Sequence, residues 1–160
     1  MDKAITSGLL IIASLVAALA LINAVLPAMN KSSGALVAAN AAAADRIRTD
    51  IEIIHVATDT GAVGEDQIVV WVKNIGVKKI DPITSSDVFL DTPSGVKRLA
   101  YDASGAVESW NYTVENGADW TQAVTVKMTL HLSDGSVSSG GYSVTVNVAN
   151  AVSAAKDFSV

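Results

Sequence analysis

Residues 4–30 carry no charged side chain, and no other feature of the sequence restricts its fold so strongly. The apolar run is Leu9, Leu10, Ile11 and Ile12, then Leu15, Val16, Leu19, Leu21, Ile22, Val25 and Leu26, with alanines between them. As a helix this stretch reaches about 40 Å, against about 30 Å of hydrocarbon in a bilayer. A core helix of a soluble domain keeps a polar face, and this one has none. We read residues 1–29 as a transmembrane anchor formed by those apolar residues. A cleaved secretory signal has an apolar region of only about 7–15 residues behind a basic start; here the run is longer and only Met1-Asp2-Lys3 opens the chain. A pilin-like helix that leaves the bilayer to form a filament core has the same hydropathy. Anchor and filament core therefore both remain open at this point.

Polar residues within the run are mild. Thr6, Ser7, Ser14 and Asn23 can bond back to helix carbonyls. Pro27 is expected to kink or end the first helix, because its ring clashes with the carbonyl four residues earlier. Asn30-Lys31-Ser32-Ser33-Gly34 supplies cap-type residues, and Ala35 to Arg48 is rich in alanine, the best helix former. Residues 30–49 are read as a helical stalk, either a second helix or a continuation of the first.

From Asp50 the pattern changes to a period of two. Ile51, Ile53 and His55 alternate with Glu52, Ile54 and Val56; Val124, Val126, Met128, Leu130 and Leu132 alternate with polar residues; so do Tyr142, Val144, Val146 and Val148. Ile68-Val69-Val70-Trp71-Val72 is a short continuous apolar run, typical of a buried strand. Shorter strands are expected near 88–90, 96–101, 107–113 and 155–160. Turn residues separate them, at Asp59-Thr60-Gly61, Asn74-Ile75-Gly76, Pro93-Ser94-Gly95, Asp102-Ala103-Ser104-Gly105, Glu115-Asn116-Gly117 and Ser133-Asp134-Gly135. Short strands at this spacing predict an immunoglobulin-like β-sandwich over residues 50–160. The fold class is thus α plus all-β, a hydrophobic helix followed by a sandwich.

The chemistry excludes more than it suggests. There is no cysteine, which removes disulfides, thiolate metal sites and cysteine nucleophiles. The net charge is −5, and Lys78-Lys79 and Lys97-Arg98 are isolated basic pairs, so nucleic acid is not an expected partner. His55 and His131 each sit among aliphatics in a strand and are read as residues of a solvated strand face. Asp45, Asp50 and Glu52 are read as solvated charges beside Arg46 and Arg48. No calcium loop, phosphate loop or dinucleotide fingerprint is present. No catalytic residue, metal, cofactor or small-molecule substrate is expected.

The aromatic residues point to contact rather than chemistry. Trp110, Tyr112 and Trp120 crowd the stretch around Glu115-Asn116-Gly117. One tryptophan is expected in the sandwich core. Tyr112, Glu115, Asn116, Asp119 and Trp120 are the candidate protein-binding residues, since Tyr and Trp anchor interfaces. Addition of a partner strand to an exposed edge is a second route. Asn30-Lys31-Ser32 and Asn111-Tyr112-Thr113 are sequons, which makes Asn30 and Asn111 N-glycan acceptors if they lie outside the cell.

A hydrophobic helix running straight into a β-sandwich, with Ile-Arg-Thr-Asp-Ile-Glu-Ile-Ile at 47–54, Val-Trp-Val-Lys-Asn-Ile-Gly at 70–76, Ser-Asp-Val-Phe-Leu at 86–90 and Trp110-Asn-Tyr-Thr-Val-Glu-Asn-Gly117, resembles the archaellin-related proteins FlaF and FlaG of the archaeal motility operon. The resemblance implies a non-enzymatic stator subunit of the archaellum. Such a subunit is anchored in the archaeal cell membrane, with its β domain in the pseudoperiplasm binding S-layer protein or a sister stator protein. It also implies an external β domain, against a positive-inside count in which only Lys3 precedes the span while Lys31, Arg46 and Arg48 follow it. Archaellins share the architecture, so a filament subunit polymerising through the N-terminal helix, as homo-oligomer or filament, is the alternative. Archaellin precursors carry a basic leader ending in glycine. Gly8 is present here, but Lys3 is the single base before it, which argues against cleavage. An envelope solute-binding or enzyme-accessory module is a third reading that no motif supports.

Overall fold

The structure, a computed structural model, describes residues 2–59 and 65–160, and of Asp2 the backbone alone. The turn expected at Asp59-Thr60-Gly61 falls mostly outside the described residues. The chain divides into two compact units, residues up to Ala43 and Ala44–Val160.

Helix α1 spans Asp2–Arg48. Pro27 lies inside it, so the helix does not end there as one reading of the sequence allowed. A proline removes a single ladder hydrogen bond, and the flanking leucines and alanines favour the helix on both sides. Ser14 Oγ bonds back to Ile11 O at 2.8 Å, the local partner expected of a serine in an apolar helix. The helix stops at Arg48 without a glycine. Thr49 takes over the last carbonyls, its N–H donating to Arg46 O (3.3 Å) and its Oγ1 to Asp45 O (2.8 Å). Arg48 O accepts the N–H groups of Val77 (2.9 Å) and Lys78 (3.1 Å). The carbonyls of Asp45, Arg46 and Arg48 in the last turn are thus satisfied, and Arg46 and Arg48 suit its negative dipole end.

Eight strands follow: β1 (Ile51–Asp59), β2 (Glu65–Asn74), β3 (Asp87–Thr92), β4 (Gly95–Tyr101), β5 (Ser109–Val114), β6 (Thr125–Ser133), β7 (Gly141–Asn147) and β8 (Ser153–Ser159). The spatial order is β1-β2-β6-β5-β4-β3-β7-β8. Two layers result, β1-β2-β6-β5 and β4-β3-β7-β8, and every pairing is antiparallel except β4 with β5. That parallel pair is short, joining Ala100 to Ser109 and Tyr101 to Trp110. At the opposite side Lys156 Nζ on β8 donates to the carbonyls of Ile53 (3.2 Å) and Ile54 (2.8 Å) on β1. The sandwich is therefore nearly closed into a barrel.

Alternation decides what is inside. Ile68, Val70 and Val72 of β2, Val88 and Leu90 of β3, Val126, Met128 and Leu130 of β6, and Val144 and Val146 of β7 are enclosed between the layers. Each such side chain contributes about 1.5–3 kcal/mol by leaving water. β2 was expected to be a buried strand; its inner residues are enclosed, while Val69 and Trp71 point outward and are half-buried. Trp71 meets the exposed ring of His55 at 5.3 Å, the two planes tilted by 41°. Both Trp110 and Trp120 are in the core.

Candidate functional site

The most distinctive local geometry lies where β4 hands over to β5. β4 ends at Tyr101 because Asp102 folds the next turn: its Oδ1 accepts Ser104 N–H (2.7 Å) and Ser104 Oγ–H (2.5 Å). These hydrogen bonds, the hydroxyl one foremost, hold the Asp102 carboxyl below its ordinary range. Gly105 closes the turn with a φ of 71°, which favours glycine. It also packs on His131: a Cβ at Gly105 would sit 2.8 Å from His131 Nε2 and 3.1 Å from Asn111 Nδ2.

This turn corrects the reading of His131. It is on the outer face of β6, as the alternation requires, but the turn covers it and leaves it 8% exposed. Its Nδ1 is 3.4 Å from Glu65 Oε1. His55 is exposed. Beyond the turn, Glu108 adopts φ 61° and donates its N–H to His131 O at 2.8 Å. Glu108 Oε1 and Oε2 accept Lys97 Nζ (3.1 and 3.2 Å), and Ser133 Oγ donates to Oε1 (3.0 Å). Burial works to raise the Glu108 carboxyl, but the Lys97 and Ser133 hydrogen bonds outweigh it and leave the group below the ordinary glutamate range. Among the described residues no three His, Cys, Asp or Glu side chains gather as a metal site.

β5 then runs on beside β6 only. β6 pairs with it from Ser109 to Val114, but β4 has already ended, so the other side of Asn111–Val114 has no strand neighbour among the described residues. Beside this open side stands an aromatic group. Tyr101, 37% exposed, meets Trp110 edge-on at 5.1 Å and Tyr112 at 5.9 Å.

The expected contact residues are divided by the structure. Tyr112 and Glu115 lie at the open edge, with Glu115 3.8 Å from Lys127. Asn116 folds the following turn, its Oδ1 accepting Thr125 N–H at 2.7 Å. Asp119 Oδ1 binds Lys79 Nζ at 3.1 Å, and Asp81 Oδ2 binds the same ammonium at 3.3 Å. Those carboxylates, Asp119 foremost, raise the Lys79 pKa. Trp120 was expected among the contact residues and is instead fully enclosed. Its carbonyl accepts Ile80 N–H and Asn74 Nδ2–H, both at 3.1 Å, so it holds the loop after β2. Tyr101 was missed, because its partners arrive through a parallel pairing between layers that no local pattern encodes.

Asn111 is on the outer face of β5 and half-buried; Asn30 is exposed in the middle of α1. Along α1 the apolar residues are exposed at every azimuth, with Leu9 66%, Leu10 64%, Ile11 65% and Ile12 66% exposed in succession. The large apolar side chains of that segment are exposed among the described residues, and its length and composition suffice to cross a membrane.

No protein-family model matches the chain. An uncharacterized protein of Archaeoglobus fulgidus is 28% identical over 131 residues, covering 79% of this chain and 78% of that protein. Among solved structures, the archaellum periplasmic stator protein FlaG of Sulfolobus acidocaldarius superposes with a TM-score of 0.56 at 16% identity, over 69% of this chain and 99% of that one. A chain of the FlaF and FlaG stator complex of the same organism superposes with a TM-score of 0.56 at 18% identity, over 69% and 89%. The chain has the fold of these archaellum stator proteins, a likeness of architecture at low sequence identity.

Proposed function

We propose that this chain is a structural, non-enzymatic subunit of the archaeal motility machinery. In this reading residues 1–29 hold it in the cell membrane, residues 30–49 form a stalk, and residues 50–160 form an external domain that binds a sister stator protein. The observation that carries the reading is the agreement of the β domain with FlaG over almost the whole of that chain. The uncovered apolar residues of α1 support the anchor: they require lipid or other helices around them. The complex of FlaF with FlaG supports a sister protein as the first partner to test, with S-layer protein as the second. A static element that resists torque needs an anchor and an outside contact, and the two units supply one each.

The filament reading is favoured by one observation, the length of α1. Its 47 residues extend about 70 Å, more than twice the hydrocarbon thickness. The test is deletion of the gene in its archaeal host, with swimming tracked and filaments counted by electron microscopy. Cells that keep filaments but do not swim support a stator. Cells without filaments, and a mature protein lacking residues 1–8 by intact mass, make the chain a filament subunit. Unimpaired swimming overturns both.

A further inference from the structure

β1 and β8 lie at the two ends of the strand order, and no ladder joins them among the described residues. Each therefore turns one row of backbone groups toward a slit between the layers. On β8 the row follows from its pairing with β7. Val160 and Gly140 exchange both of their N–H···O bonds, so Ala154, Lys156 and Phe158 bond toward β7 while Ala155 and Asp157 face the slit. On β1, Asp50 O accepts Ile75 N–H toward β2, so Ile51 and Ile53 face the slit. A strand edge of this kind invites an added strand.

β1 is irregular at this point. Ile53 stands opposite Val72 and His55 opposite Trp71, which leaves Ile54 as an extra residue, a β-bulge. In a regular strand successive carbonyls point to opposite sides. Here one ammonium reaches two in succession: Lys156 Nζ donates to Ile53 O at 3.2 Å and to Ile54 O at 2.8 Å. Lys156 is itself an exception to the pattern of its strand. It stands opposite Val144, which is fully enclosed, so it leaves β8 on the inner face, between half-buried Ala154 and Phe158. A lysine on an apolar face costs free energy unless its head finds acceptors. The bulge supplies two.

We propose that Lys156 is a clasp. Its ammonium shuts the slit and withholds the β1 edge from strand pairing, an autoinhibitory contact built into the barrel. Inward-pointing charge is one of the ways in which sheet edges are kept from pairing. β8 is held on one side by the ladder to β7 and across the slit by the hydrogen bonds of Lys156. Loss of the ammonium therefore opens the slit while the ladders of β1 with β2 and of β8 with β7 remain. Acylation of the amine has the same effect, since it removes the charge and leaves one N–H for two carbonyls. The clasp rests on strand geometry and holds whether or not the archaellum reading does.

The chain has no cysteine, so a single introduced thiol reports local exposure. Ala154→Cys places it on the inner face of β8 beside the slit, and Ala155→Cys on the exposed outer face. Val126→Cys places it in the core on β6, which is not a neighbour of the slit. Each is made in the full-length chain in detergent and alkylated with iodoacetamide, with Lys156 kept, as Lys156→Met and as Lys156→Arg. Ala154→Cys is expected to react about tenfold faster or more with Lys156→Met, the factor carried by lost hydrogen bonds to a charged group. Lys156→Arg, which keeps the charge and the donors, is expected to restore the slow rate. Ala155→Cys and Val126→Cys are expected to react alike in all three backgrounds. An unchanged Ala154→Cys rate in Lys156→Met overturns the clasp. So does a Val126→Cys rate that rises as much as the Ala154→Cys rate, because the whole domain has then lost stability. A second measurement needs no variant. Brief treatment of the unaltered chain with acetic anhydride, followed by peptide mass spectrometry, is expected to acetylate Lys127, whose side chain is 37% exposed, well before Lys156. Equal rates at the two amines overturn the proposal as well.

Discussion

Gly76 and Asp50 meet backbone to backbone: Gly76 N–H donates to Asp50 O at 3.0 Å, as does Ile75 N–H. A Cβ on Gly76 would come within 2.6 Å of Arg48 O and closer still to Asp50 N. Here the loop after β2 caps the C-terminal end of α1, and Lys78 reinforces the contact by pairing with Asp45. Because the obstacle is backbone on both sides, it cannot rotate away. Gly76→Ala is expected to lower stability by about 1–3 kcal/mol or more, read from the denaturant midpoint by tryptophan fluorescence. Gly141→Ala, where nothing lies within 4 Å, is the comparison and should leave the midpoint unchanged.

Met128 and Leu130 are fully enclosed between the layers, whereas Val96 on β4 is 67% exposed. Truncating either core residue to alanine removes its transfer energy and leaves a cavity. Met128→Ala and Leu130→Ala are each expected to lose about 2–5 kcal/mol, and Val96→Ser to stay within about 0.5 kcal/mol. Equal effects at all three positions would contradict the layer assignment.

Asp66 is 2% exposed, and its Oδ2 accepts the Val137 N–H at 2.8 Å. It thereby ties the connection between β6 and β7 to β2. Asp66→Ala leaves a buried N–H without its acceptor, so a loss of about 1–3 kcal/mol is expected. Hydrogen exchange of the Val137 amide locates the effect. If the amide stays as protected as in the parent chain, Asp66 is not what holds this connection.

The sequence carried the helix and most strands openly, because both signals are periodic in hydrophobicity. β6 shows this well: Val126, Met128, Leu130 and Leu132 are all buried, as their spacing requires. β2 misled because Val69 and Trp71 are apolar yet face outward, where Trp71 finds the ring of His55. Of the candidate site only the residues could be read from the sequence: Tyr112 and Glu115 lie beside an open edge that exists because β4 stops at Tyr101, a tertiary fact. Trp120 and His131 were misplaced for the same kind of reason: the path of a connection decides both, since Trp120 enters the core from the segment between β5 and β6 and the turn at Gly105 covers His131. The turn at Glu108 was equally hidden, since its positive φ falls on a residue other than glycine.

Glu108 makes the acid side of the stability profile testable. Burial pushes its carboxyl up, but the hydrogen bonds from Lys97 and Ser133 outweigh it, so the folded pKa lies below the unfolded one. A depressed folded value means that the contribution is fully present above the unfolded glutamate pKa, about 4.3, and is lost as pH falls through the lower folded value. The side chain is 40% exposed, so solvent screening limits the effect to less than about 1 kcal/mol. Glu108→Gln is therefore expected to be slightly less stable than the parent chain near neutral pH. The gap should close as pH falls below the unfolded value and through the lower folded one, where the parent carboxyl takes up its proton. Denaturant midpoints of both proteins across that range measure it. A gap that stays constant with pH would mean that Glu108 acts through its backbone geometry and not through its charge. Lys97→Met, which removes the cation and leaves the strained backbone in place, should reproduce the pH-dependent part.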